Sequence, residues 1–137
     1  MRTSVAQLLL LCILASCQPV GKNQVAQLLD IPEPREWILV IHPEGCKTCL
    51  DSFYSELEQL PVSSPGAIVI LAKNSKTLRL NPLIEHPPIP LYLDEDKKLV
   101  REGLVSLTDQ LVIFRTEEVQ KFDILEYQRA LDEFRRN

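Results

Sequence analysis

The sequence predicts an α/β sandwich, with helices packed on a mixed β-sheet, and three observations carry that expectation. The runs 37–41 and 67–72 are apolar throughout and rich in β-branched residues, the composition of strands buried on both faces. Segments of helical apolar spacing alternate with them: Val25, Leu28 and Leu29, then Leu50, Phe53, Tyr54, Leu57 and Leu60. The chain closes with two short strands, 111–114 and 119–124, turning through Thr116-Glu117-Glu118 before a last helix. Strands alternating with helices, then a closing hairpin, place the sheet between helical layers.

In order along the chain, Pro32 and Pro34 end the helix over 24–30, and the strand over 37–41 follows. His42-Pro43-Glu44-Gly45 forms a loop, and the helix beginning near Cys49 stops at Pro61. Ser63-Ser64-Pro65-Gly66 is a turn into the strand over 67–72. A short helix is expected around 77–85, where Pro82 breaks it or starts a turn. Leu91-Tyr92-Leu93 is a third strand, ended by the acidic run Asp94-Glu95-Asp96. Residues 98–103 fit a short helix or a strand. Asp123 and Glu126 have the spacing of a capping pair for the last helix, whose apolar face is Tyr127, Ala130, Leu131 and Phe134. One long helix over 116–136 is the competing reading.

Composition narrows the function classes. Apolar residues make up 45% of the chain and charged residues 25%, which is globular rather than disordered. A net charge of −4 excludes a general nucleic-acid binder. Four cysteines in 137 residues are too few to staple a miniature fold.

One positive charge at Arg2 precedes a mostly apolar run over 5–14, the pattern of a secretory leader. That run is too short to cross a bilayer, which takes about 20 apolar residues. It ends in Leu14-Ala15-Ser16-Cys17, which resembles the lipobox of bacterial lipoproteins. The resemblance implies cleavage before Cys17, removing residues 1–16 together with Cys12, and acylation of the Cys17 thiol. Two or three acyl chains meet the two-signal requirement for stable anchoring. Residues 17–23 then read as anchor and tether, and 24–137 as the folded domain. The location implied is a bacterial cell envelope with the domain facing the periplasm. Gln18, where inner-membrane lipoproteins often carry Asp, points to the outer membrane.

Cys46-Lys47-Thr48-Cys49 carries the chemistry. Two cysteines three apart at a helix start can close a disulfide within one turn. The leading thiol faces the unpaired N–H groups and positive end of the helix, which lowers its pKa. The second is placed to attack a mixed disulfide formed at the first. A zinc site would need a second such pair or a close pair of histidines, and none is present. No metal or cofactor is expected.

The strand, the CxxC helix and the strands that follow resemble the thioredoxin-like superfamily, over residues 37–134. The leader, the anchor and an additional strand at 91–96 are closest to the membrane-anchored bacterial thiol–disulfide lipoproteins. The resemblance implies Cys46 as attacking thiol and Cys49 as resolving thiol, with protein thiols and disulfides of the envelope as partners. Members place a cis-proline beside the cysteines, just before a strand. Pro90, before Leu91, is one position for it; if 91–96 is an inserted strand, the position falls near Thr108, without a proline. An aromatic residue before the first cysteine is replaced here by Glu44-Gly45. The family's buried acid has no clear equivalent, and His42 and Glu44 read as surface loop residues or a proton relay. The function expected is envelope thiol–disulfide exchange. The alternative is a non-catalytic thioredoxin-like lipoprotein that binds a partner or ligand, Cys46–Cys49 being a structural bridge. Copper delivery ranks last, because the copper chaperones of this fold space their cysteines one residue further apart.

Overall fold

The structure is a computed structural model and describes residues 19–72 and 82–136. Cys17, the leader and most of the segment expected to hold the 77–85 helix lie outside the described residues. The elements are α1 (Lys22–Leu29), β1 (Trp37–Ile41), α2 (Lys47–Glu58), β2 (Gly66–Ile70), α3 (Pro82–Glu85), β3 (Leu91–Leu93), α4 (Lys98–Arg101), β4 (Leu111–Phe114), β5 (Val119–Phe122), a 3₁₀ turn at Ile124–Glu126 and α5 (Tyr127–Arg135).

They form a mixed five-stranded sheet in the order β3-β2-β1-β4-β5, flanked by helices. β1 and β2 run parallel, as do β2 and β3, while β4 is antiparallel to both β1 and β5. The central strands β1, β2 and β4 are buried along their whole length, which is why their sequences are continuous rather than alternating. β3 and β5 form the edges and are largely half-buried.

Strand alternation divides the core. Trp37, Leu39 and Ile41 pack with Phe53, Leu57, Ala130 and Leu131 on the face of α2 and α5. Ile38 and Val40 pack with Val25, Leu99 and Phe114 on the face of α1 and α4. Trp37 meets the Phe134 ring at 4.4 Å.

Several boundaries differ from the sequence reading, each for a local reason. α1 begins at Lys22, inside the expected tether, because the Lys22 N–H donates to the Arg115 carbonyl at 2.8 Å. The Lys22 side chain is buried and ion-paired with Glu33. Residues 98–101 are helical: buried Asp94 accepts from the Lys98 N–H at 2.8 Å and the Leu99 N–H at 3.0 Å, satisfying orphan donors of the first turn. The 116–136 region is a hairpin, a 3₁₀ turn and a helix, not one helix. Asp123 caps the turn by accepting from Leu125 N–H at 2.8 Å, whereas the Glu126 side chain pairs forward with Arg129 and only its backbone N–H bonds back, to the Asp123 carbonyl.

Tyr54 is the one ionisable core residue on α2. Its phenol is buried with no hydrogen-bond partner among the described residues. Burial first, and the Asp51 carboxylate second, push it up to about 12 from 10.0. An unfolded chain ionises this phenol near 10 while the folded chain resists to about 12, so stability present below pH 10 falls away as pH rises between those values. Tyr54→Phe should leave stability at pH 7 unchanged or slightly higher, since it removes an unsatisfied buried hydroxyl. Urea unfolding at pH 7 and pH 11 should show the wild type losing about 1–2 kcal/mol more than Tyr54→Phe over that interval.

Candidate functional site

β1 delivers the chain to a four-residue loop, and the loop delivers it to α2. Cys46 is the N-cap of α2, with extended backbone, and its Sγ accepts the Cys49 N–H at 3.3 Å. Cys46 and Cys49 form a disulfide, with Cα atoms 5.3 Å apart. Both are half-buried and pack on the core around Leu50 and Phe53. The pair therefore sits where a helix presents its unpaired N–H groups, at the carboxyl end of the central parallel strand.

The loop is held from outside itself. The His42 N–H donates to the Gln110 carbonyl at 2.9 Å, carrying the β1–β4 ladder one residue past the strand. The Gln110 side chain then bridges two segments: its Nε2 donates to the Glu44 carbonyl at 3.1 Å, and its Oε1 accepts from Ile124 N–H at 2.9 Å. Gly45 has φ +98, a left-handed conformation that disfavours side chains. A β-carbon at Gly45 would also sit 2.7 Å from Gln110 Nε2. The bare position and the amide bridge depend on each other.

His42 is buried, at 3% exposure, and this corrects its reading as a surface loop residue. Its Nε2 lies 3.2 Å from Glu44 Oε1 without hydrogen-bond alignment and has no other partner among the described residues. The ladder bond to Gln110 is the reason: a residue in sheet register next to three buried strands goes inward. Glu44 itself is exposed, as expected of a loop residue.

The two positions proposed for the substrate-facing residue separate clearly. Pro90 opens β3, and its carbonyl accepts from the Ile68 N–H at 2.9 Å. Register places it beside Ala67, level with Ile38 on β1. That is the end of the sheet away from the cysteines, so Pro90 does not face them, and among the described residues no peptide bond is cis. Thr108 lies on the loop entering β4, at the cysteine end, and its hydroxyl pairs with Ser106 Oγ at 2.7 Å. Asp109 beside it accepts from the Ser106 N–H and from Lys121 Nζ, at 2.8 and 2.9 Å. Partial burial would raise its pKa, but those bonds and the Lys121 charge outweigh it and hold the carboxyl below its usual range. Gln110, two residues after Thr108, is the one whose side chain reaches the cysteine loop.

Around this end of the molecule two leucines stand exposed: Leu107 at 60% and Leu125 at 72%. Each adjoins a residue of the site, Leu107 preceding Thr108 and Leu125 following Ile124. No group of three or more metal-ligating side chains gathers among the described residues. Comparisons with family models, curated proteins and solved structures returned no match. The geometry is that of a cysteine pair at a helix terminus, half-buried and packed against the apolar core.

Proposed function

We propose that this chain is a thioredoxin-like thiol–disulfide oxidoreductase, lipid-anchored at Cys17 in a bacterial envelope and acting on protein cysteines. The observation that carries the reading is the Cys46–Cys49 disulfide at the N-terminus of α2, with Cys46 as the cap. Support comes from the mixed strand order with the cysteine strand at its centre and from β3 as an additional edge strand. Reduced Cys46, as thiolate, attacks a disulfide sulfur of the partner, forming a mixed disulfide and releasing one partner thiolate. Cys49 then attacks the Cys46 sulfur, releasing the second thiolate and closing Cys46–Cys49. The partner gains two electrons and the pair loses two, which an envelope dithiol returns. The exposed Leu107 and Leu125, at the same end of the sheet, offer apolar surface to the partner chain.

A redox titration of the pair tests this against the structural-bridge alternative. In dithiothreitol buffers, with alkylation and mass readout, an exchanging pair titrates between about −270 and −120 mV. A value below about −300 mV would mark an inert bridge and overturn the reading.

A further inference from the structure

We propose that the end of the domain opposite the cysteines lies against the lipid surface, so that Cys46 is held up and away from the membrane. This rests on the reading of Cys17 as the acylated residue. Its substance is where the chain leaves the fold.

The first described residues are pinned at one pole. The Lys22 N–H bonds to the Arg115 carbonyl, and Gly21 lies so close to the Thr116 carbonyl that a β-carbon could not fit. Arg115 follows β4, whose last residue pairs with Ile38 near the start of β1. The α2–β2 loop ends at this same pole, where Gly66 pairs with Trp37 and the Glu36 N–H donates to the Pro65 carbonyl. The cysteines lie beyond the other end of β1. A five-residue strand covers about 13 Å between its first and last residues, and the 42–45 loop follows it.

The strap is short. From Cys17 to Gly21 is four residues, which reach about 14 Å at most. A lipid at Cys17 therefore keeps Gly21 within about 14 Å of the headgroups, and with β1 directed outward the cysteine pole stands more than about 13 Å further out.

The surface of the pole suits contact with lipid headgroups without insertion. Of the four large apolar side chains exposed among the described residues, Val20 and Val62 belong here, Val62 at 83% exposure. Arg35 and Arg115 line the pole together with Glu36, Glu117 and Glu118. With both signs present, the contact needs no anionic lipid, and moderate salt should leave it in place. The remaining two, Leu107 and Leu125, are at the cysteine pole. The partners implied are soluble proteins or projecting domains, not thiols at the bilayer surface.

The sequence holds a single tryptophan, Trp37, at the tether pole, and energy transfer from it to lipid reports the orientation. The full-length acylated protein is placed on phosphatidylethanolamine vesicles carrying a trace of dansyl-headgroup lipid. Trp37 should sensitise dansyl emission strongly, whereas Trp37→Phe/Leu125→Trp, with the donor at the far pole, should transfer at least threefold less. Inserting twelve Gly-Ser residues between Gln18 and Pro19, outside the folded elements, should lower Trp37 transfer at least twofold. Equal transfer from both donors, or no effect of the insertion, on protein that floats with the vesicles overturns the orientation alone. A wild-type chain that does not float overturns the anchor itself. Flotation of Cys17→Ser as complete as that of the wild type does the same.

Discussion

Cys49→Ser should accumulate covalent adducts with partner proteins, visible as bands that collapse on reduction, while Cys46→Ser should accumulate none. Cys46 caps α2, with its sulfur receiving the Cys49 N–H at 3.3 Å. That hydrogen bond and the positive helix terminus both favour the thiolate, a helix terminus contributing about 0.3–1 kcal/mol or more when partly buried. Attack is thus assigned to Cys46 and release to Cys49. Without Cys49 the first step proceeds and the second cannot, so the mixed disulfide persists. The contrast is close to all-or-none between two single-atom substitutions at neighbouring positions. Equal trapping by both variants would remove the division of labour. Trapping by neither, with a normal fold, would favour the structural-bridge alternative.

Gly66→Ala should strongly destabilise the sheet, costing about 3 kcal/mol, at the upper end for an overpacked core. Gly66 pairs with Trp37 across β2 and β1, and a β-carbon at Gly66 would lie only 2.2 Å from two atoms of the indole ring. The indole cannot readily move aside, being almost fully buried and in contact with Phe134. Trp37→Leu alone leaves a cavity and should cost about 2–4 kcal/mol. Combined with Gly66→Ala it should cost clearly less than the sum, because the added methyl occupies space the indole vacated. Urea denaturation of the four proteins closes the cycle. Additive losses would show that the methyl and the ring do not compete.

The parts of the fold legible in the sequence were those specified by short-range pattern. β1, β3 and β4 fall on the apolar runs from which they were read, and Pro82 starts a helical turn, one of its two expected outcomes. The hairpin is legible because 111–114 is a strand by content and Thr116-Glu117-Glu118 turns the chain back; β5 ends at Phe122, two residues short of the expected 119–124. The cysteine pair was legible for the same reason, since its geometry is set within one helical turn.

What the sequence could not show depends on distant segments. Gln110 bonds to Glu44, 66 residues away, and to Ile124, 14 away, and a glutamine before a strand carries no local mark of that task. His42 looks like a loop residue until its N–H is seen to extend the ladder to β4. Lys22 looks like tether until its pairing with Glu33 is known. Proline before a strand is a local signal that Pro90 carries, but the end of the sheet it occupies is fixed only by register with β2.

The two edges of the sheet bear on how many copies can share a surface. Three strands buried on both faces make a strongly apolar sheet, and an open edge on such a sheet is a template for a neighbour's strand. Here the sheet ends in β3, of three residues, and β5, of four, which carries Gln120 and the exposed Lys121. Short borders with a charge on one of them give a passing chain few backbone groups to pair with. If Cys17 carries the proposed lipid, the molecules are confined to two dimensions and meet one another far more often than in bulk solution. A sheet finished this way lets them collide repeatedly without seeding an aggregate.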